Sequence, residues 1–118
     1  MEKLSVAEEQ ALQALWDLQE ANVKSILEQL REPVPPYTTL ASTVKNLEKK
    51  GYISSRLLGN MYLYRPSITE DDYKKRFMGQ FIKTYFDDSY KELVNFFVSE
   101  KKLSKDELEE IIRLIEKK

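Results

Sequence analysis

The sequence predicts a mainly helical protein carrying one small β-hairpin. Apolar residues recur at three- and four-residue spacing over most of the chain, and one stretch between Tyr52 and Arg65 switches to a period of two. Serine, asparagine, proline and glycine fall where helices should start and stop.

Ser5-Val6-Ala7-Glu8 opens the first helix as a capping box, in which the Ser5 hydroxyl accepts from an orphan amide and Glu8 reaches back. Ala7, Ala11, Leu15 and Leu18 follow at helical spacing, with Leu12 and Trp16 widening the stripe over about four turns. Asn22 is placed to cap a second helix on which Val23, Ile26, Leu27 and Leu30 share a face. Pro33, Pro35 and Pro36 are expected to stop it, because proline lacks the helical donor and restricts its predecessor.

The run from Tyr37 to Lys50 predicts a third helix, with Leu40, Val44 and Leu47 on one face and Gly51 as a left-handed C-cap. At about 100° per residue, Thr38, Ser42, Lys45 and Lys49 lie opposite that stripe, flanked by Thr39 and Asn46. Hydroxyls, an amide and lysines are what phosphates and base edges require. An ordinary solvated helix face is the competing reading, although such faces more often carry glutamate and lysine in i, i+4 pairs. After Gly51, Tyr52 to Leu57 and Met61 to Arg65 read as two strands around a turn at Leu58-Gly59-Asn60. Three helices and then a hairpin is the order of a winged helix-turn-helix, whose third helix enters the DNA major groove. On that docking Thr38, Thr39, Ser42, Lys45 and Asn46 are expected at or near base edges. Tyr37, Lys49, Lys50 and Arg56 are expected on phosphates, with Asn60 near the hairpin tip.

The rest of the chain predicts three more helices. Thr69 precedes acids suited to a helix start, and Phe77, Met78, Phe81, Ile82, Tyr85 and Phe86 load that helix with large apolar groups. Asp87-Asp88-Ser89 breaks it, and Leu93, Val94, Phe96, Phe97 and Val98 load the next. Leu103-Ser104 with Glu107-Leu108 combines a capping box and a hydrophobic staple, after which Leu108, Ile111, Ile112 and Ile115 share one face. So much apolar surface in about fifty residues without a sheet is hard to hide in one protomer. We therefore expect residues 1–68 to form a winged-helix DNA-binding domain and 69–118 a helical dimerisation region. Phe77, Phe81, Tyr85, Phe86, Leu93, Phe96, Phe97, Leu108, Ile111, Ile112 and Ile115 are its expected interface; packing back on the first domain is the alternative.

Composition narrows the function classes. The chain has no cysteine and no histidine, which removes thiolate nucleophiles, cysteine/histidine zinc sites and Ser-His-Asp triads. Three glycines leave no candidate phosphate-cradling loop. Neither an enzyme nor a cofactor is expected. No apolar run approaches the ~18–20 residues of a membrane span, and the N-terminus lacks the pattern of a secretory signal, so a cytoplasmic location without membrane insertion is expected. Residues 1–66 carry eight basic and eight acidic side chains. That neutrality keeps open a second reading, a winged helix that holds a protein partner instead of DNA.

Four segments in order resemble the BlaI/MecI/CopY family of winged-helix repressors. Leu4-Ser5-Val6-Ala7-Glu8 with Leu15-Trp16 is similar to the family's opening, and Tyr37-Thr38-Thr39-Leu40, Thr43, Leu47 and Lys50-Gly51 to its recognition helix. Tyr64-Arg65-Pro66 resembles its wing exit, and Leu103-Ser104 with Glu107-Leu108 its last-helix signature. The resemblance implies a homodimer on a palindromic double-stranded DNA operator. It also implies relief of repression by proteolysis, under a membrane sensor metallopeptidase or its downstream protease, at an Asn-Phe bond. Asn95-Phe96 is the candidate, one residue out of the family register. The chain departs by having Asn46 where many members have arginine and Gly59-Asn60 where they have Gly-Arg. It lacks the C-terminal cysteines of copper-responsive members.

Overall fold

The computed structural model describes residues 2–117 as six helices and one two-stranded antiparallel sheet. The order is α1 (Val6–Leu18), α2 (Val23–Gln29), α3 (Tyr37–Lys49), β1 (Ile53–Leu58), β2 (Met61–Pro66), α4 (Glu70–Phe86), α5 (Tyr90–Ser99) and α6 (Lys105–Glu116). The chain divides into two compact units, residues 1–73 and 74–118. The first therefore runs past the expected boundary and takes in the opening turn of α4.

Local chemistry explains where these elements begin and end. At α1 the Ser5 hydroxyl accepts from Glu8 N–H, and the Glu8 carboxylate accepts from Ser5 N–H at 2.8 Å. Asn22 caps α2 by accepting from Ser25 N–H at 2.8 Å. The stop of α2 comes earlier than the prolines require. Leu30 already takes an extended backbone, three residues before Pro33, while its half-buried side chain stays packed on the core. At the end of α3, Gly51 adopts φ +85. Its N–H reaches Glu48 O and the Tyr52 N–H reaches Leu47 O, the paired bonds of a Schellman motif. A two-residue turn joins the strands, with Leu58 paired to Met61 and Gly59 at φ +61.

In the first unit, Leu12 and Leu15 of α1, Ile26 of α2 and Leu40, Val44 and Leu47 of α3 are fully buried. Tyr52, Ile53, Tyr64 and Ile68 close the core from the hairpin side. Ala21 exchanges backbone hydrogen bonds with Tyr64 at 3.0 and 2.8 Å, so a single bridge ties the α1–α2 corner to β2. The Trp16 indole N–H donates to Ile68 O at 2.9 Å, and its ring lies 5.5 Å from that of Tyr73. The Tyr73 hydroxyl donates to Glu9 at 2.7 Å. Burial, and then the Glu9 carboxylate, push its pKa well above the usual tyrosine range.

The second unit is built differently. Asp87 and Asp88 both take positive φ before Ser89 caps α5. Ser104 and Glu107 form the expected capping box on α6. Aromatic rings run in contact from Phe77 to Phe81, Tyr85 and Phe86, then through Phe96 to Phe97, at centroid separations of 5.1–6.2 Å. Ile82 is the one buried hydrophobic residue of this unit among the described residues. Neither α5 nor α6 has a buried residue.

Candidate nucleic-acid interface

The α3 surface follows from one helix period. With Leu40, Val44 and Leu47 turned into the core, Thr38, Thr39, Ser42, Lys45, Asn46 and Lys49 are all exposed. Tyr37 at the helix start is exposed as well, 53% of its surface being accessible. Proline at the N-cap offers no side-chain acceptor to the first turn, so amides there are left facing outward. The Ser42 and Thr43 hydroxyls donate to Thr38 O and Thr39 O at 3.2 and 3.1 Å. Each oxygen keeps lone pairs for an incoming donor. Glu48, the only acid of α3, accepts from the Ser55 hydroxyl of β1 and so leans toward the hairpin.

Two expected phosphate contacts are placed otherwise. Lys50 puts its ammonium 2.8 Å from Glu8 and 3.1 Å from Lys3 O, which ties the end of α3 to the start of α1. It is engaged inside the unit. Burial alone would raise the Glu8 pKa. Hydrogen bonds from Lys50, the Ser5 N–H and the Ser5 hydroxyl outweigh it and hold the carboxyl below the usual range. Arg56 makes a two-pronged bond to Glu20, Nε to Oε2 and Nη2 to Oε1, each 2.8 Å. Asn60 is exposed at the hairpin turn, with Leu57, Leu58, Met61 and Tyr62 exposed around it.

Two charged residues of this region lay outside the sequence-based set. Arg65 is exposed and pairs with Ser54 in the strand register, which puts it on the same hairpin face as Arg56. The two-residue alternation carried that signal. Glu20 carried none, because its partner lies 36 residues away in sequence.

A helix–turn–helix whose third helix shows a polar face beside a two-stranded wing defines a winged-helix protein. The comparisons narrow the class. The chain matches the protein family described as Penicillinase repressor over residues 4–117, and it belongs to that family. It is 28% identical over 118 residues to the methicillin resistance regulatory protein MecI of Staphylococcus aureus strain N315, covering 98% of this chain and 95% of that protein. With the penicillinase repressor of Bacillus licheniformis it shares 23% identity over 97% of this chain and 90% of that one. The solution structure of the DNA binding domain of the repressor BlaI matches with a TM-score of 0.53 and 26% identity, over 62% of this chain and 94% of that one. The family, the Bacillus protein and the solved domain carry the name repressor, and the family is not one of enzymes. Among the described residues no helix is long and apolar enough to cross a membrane.

Proposed function

We propose that this protein is a DNA-binding transcriptional repressor of the cytoplasm, acting as a homodimer on a palindromic operator. The observation that carries the reading is the exposed Thr38–Ser42–Lys45–Lys49 face of α3, backed by a fully buried Leu40–Val44–Leu47 stripe inside a winged helix. A helix held this firmly on one side can present short polar groups to base edges without further ordering. The solved relative, the DNA binding domain of the repressor BlaI, supports a DNA-binding role for this unit. In this reading Thr38, Thr39, Ser42, Lys45 and Asn46 meet base edges, and Tyr37 and Lys49 meet phosphates. Half-sites lie near one helical turn apart, ~10 bp, or a multiple of it.

Pairing belongs to the second unit. Phe77, Tyr85, Phe96, Phe97, Ile111, Ile112 and Ile115 are exposed in the protomer, while Phe81, Phe86, Leu93 and Leu108 are half-buried. Twofold pairing covers such a surface and matches a palindrome. Repression ends, in the same reading, by cleavage at Asn95–Phe96 under a membrane sensor metallopeptidase or the protease it commands. Both residues are exposed on α5, which must unwind locally to enter a protease cleft.

Selection of bound duplexes from a random library, followed by titration at several salt concentrations, tests the function. A palindromic consensus and an affinity that falls steeply with salt are expected. A protein that enriches no sequence and shows no salt dependence is not this repressor, and the winged helix then holds a protein instead. Fragment mapping from induced cells tests the cleavage: termini at Asn95 and Phe96 support it, and an intact or differently cut chain removes it.

A further inference from the structure

Arg56 of the wing is not free to meet a duplex. Glu20 follows the α1 C-cap and directly precedes Ala21, whose backbone is fixed to Tyr64 by two hydrogen bonds. In that antiparallel register Glu20 stands opposite Arg65, and Arg65 in turn opposite Ser54. Arg56, two residues along β1 from Ser54, lies on the same face, and its guanidinium meets the Glu20 carboxylate at two points, each 2.8 Å. One carboxylate therefore pairs with Arg56 and lies near enough to Arg65 to feel its charge. Asn22, two residues on, caps α2, the helix that crosses the DNA backbone in this motif.

We propose that Glu20 is an affinity-setting residue: it holds Arg56 off DNA in the free protein, and Arg56 reaches a phosphate only by exchanging that carboxylate for it. The inference rests on the DNA-binding reading above and names a residue that tunes it. A guanidinium fork accepts carboxylate and phosphate with the same planar two-point geometry, so Glu20 occupies the place a phosphate would take. The backbone bridge at Ala21 keeps the acid from drifting away. An exposed ion pair of this kind adds little to folding stability, so its consequence falls on binding. The direct bond from Arg56 outweighs the opposing effect of burial and, with the charges of Arg56 and then Arg65, lowers the Glu20 pKa, so the carboxylate is ionised at neutral pH.

The test uses the full chain as wild type, Glu20→Gln, Arg56→Ala and the double variant. Fluorescence anisotropy follows binding to a random-sequence duplex of about 40 bp and to the duplex selected by the wild type, between 50 and 200 mM salt. Glu20→Gln is expected to bind both duplexes more tightly, with a salt slope steeper by about one per protomer. Its advantage then grows by about three- to fourfold per protomer from 200 to 50 mM salt. Arg56→Ala alone should move the slope by much less than one, and in the Glu20→Gln background it should cancel the gain. Melting temperatures close to wild type exclude a folding effect. The proposal is overturned if Glu20→Gln gains nothing, if the gain survives Arg56→Ala, or if Arg56→Ala alone removes a full unit of slope. A wild type that binds neither duplex sinks the repressor reading and this inference together; any of the other three sinks the inference alone.

Discussion

Side chains of one type take different roles here according to what lies within 3 Å of them. Lys49 and Lys50 are sequence neighbours, yet Lys49 faces outward and Lys50 is bonded to Glu8. On the proposed docking, Lys49→Ala should weaken binding to all sequences alike and flatten the salt slope by about one, whereas Asn46→Ala should change which sequence is preferred. Binding titrations on selected and scrambled duplexes separate the two effects, and a Lys49→Ala protein with unchanged affinity and slope would mean α3 is not docked as described. The Glu8–Lys50 pair belongs to stability instead. Glu8 is only 5% exposed, and its folded pKa lies below the unfolded value near 4.5. Its contribution is therefore complete above pH 4.5 and lost as pH falls through the folded pKa. Glu8→Gln should remove part of the acid sensitivity that sets in as pH falls below 4.5, while Glu8→Ala should cost about 1–3 kcal/mol at pH 7; chemical denaturation across pH measures both.

Elements begin and end on local chemistry, which makes their boundaries testable one residue at a time. The capping boxes at Ser5 and Ser104 formed as their spacing required, because a serine and a glutamate three residues on satisfy each other without outside help. Gly51 links α3 to the wing. A Cβ added there would meet nothing within 4 Å, so a substitution is strained only through φ +85. Gly51→Ala should thus cost about 1 kcal/mol, visible as a melting temperature lower by about 4–8 °C for a unit of this size. A loss near zero would show that the chain relaxes out of the left-handed region. The end of α2 was less legible. Prolines mark where a helix cannot continue, and Leu30 left the helix earlier while its side chain stayed on the core.

The whole molecule divides its work between a unit with a dense core and a unit with an unfinished one. Ile111 and Ile115 are 42% and 67% exposed in the protomer, so in the proposed homodimer lysine at both positions should spare the protomer and disrupt pairing. Sedimentation should show Ile111→Lys/Ile115→Lys moving to a monomer with helix content retained. Operator affinity should drop by about a hundredfold or more, because the second half-site loses its high effective concentration. A variant that stays dimeric would place the pairing surface elsewhere.

Periodicity and capping in the amino-acid order determined the six helices, the hairpin and the outward face of α3, since each depends on contacts a few residues apart. The fates of Lys50 and Arg56 were decided by tertiary structure alone. Their carboxylate partners lie 42 and 36 residues away, and only the closing of the core and the bridge at Ala21 bring those charges within hydrogen-bonding reach.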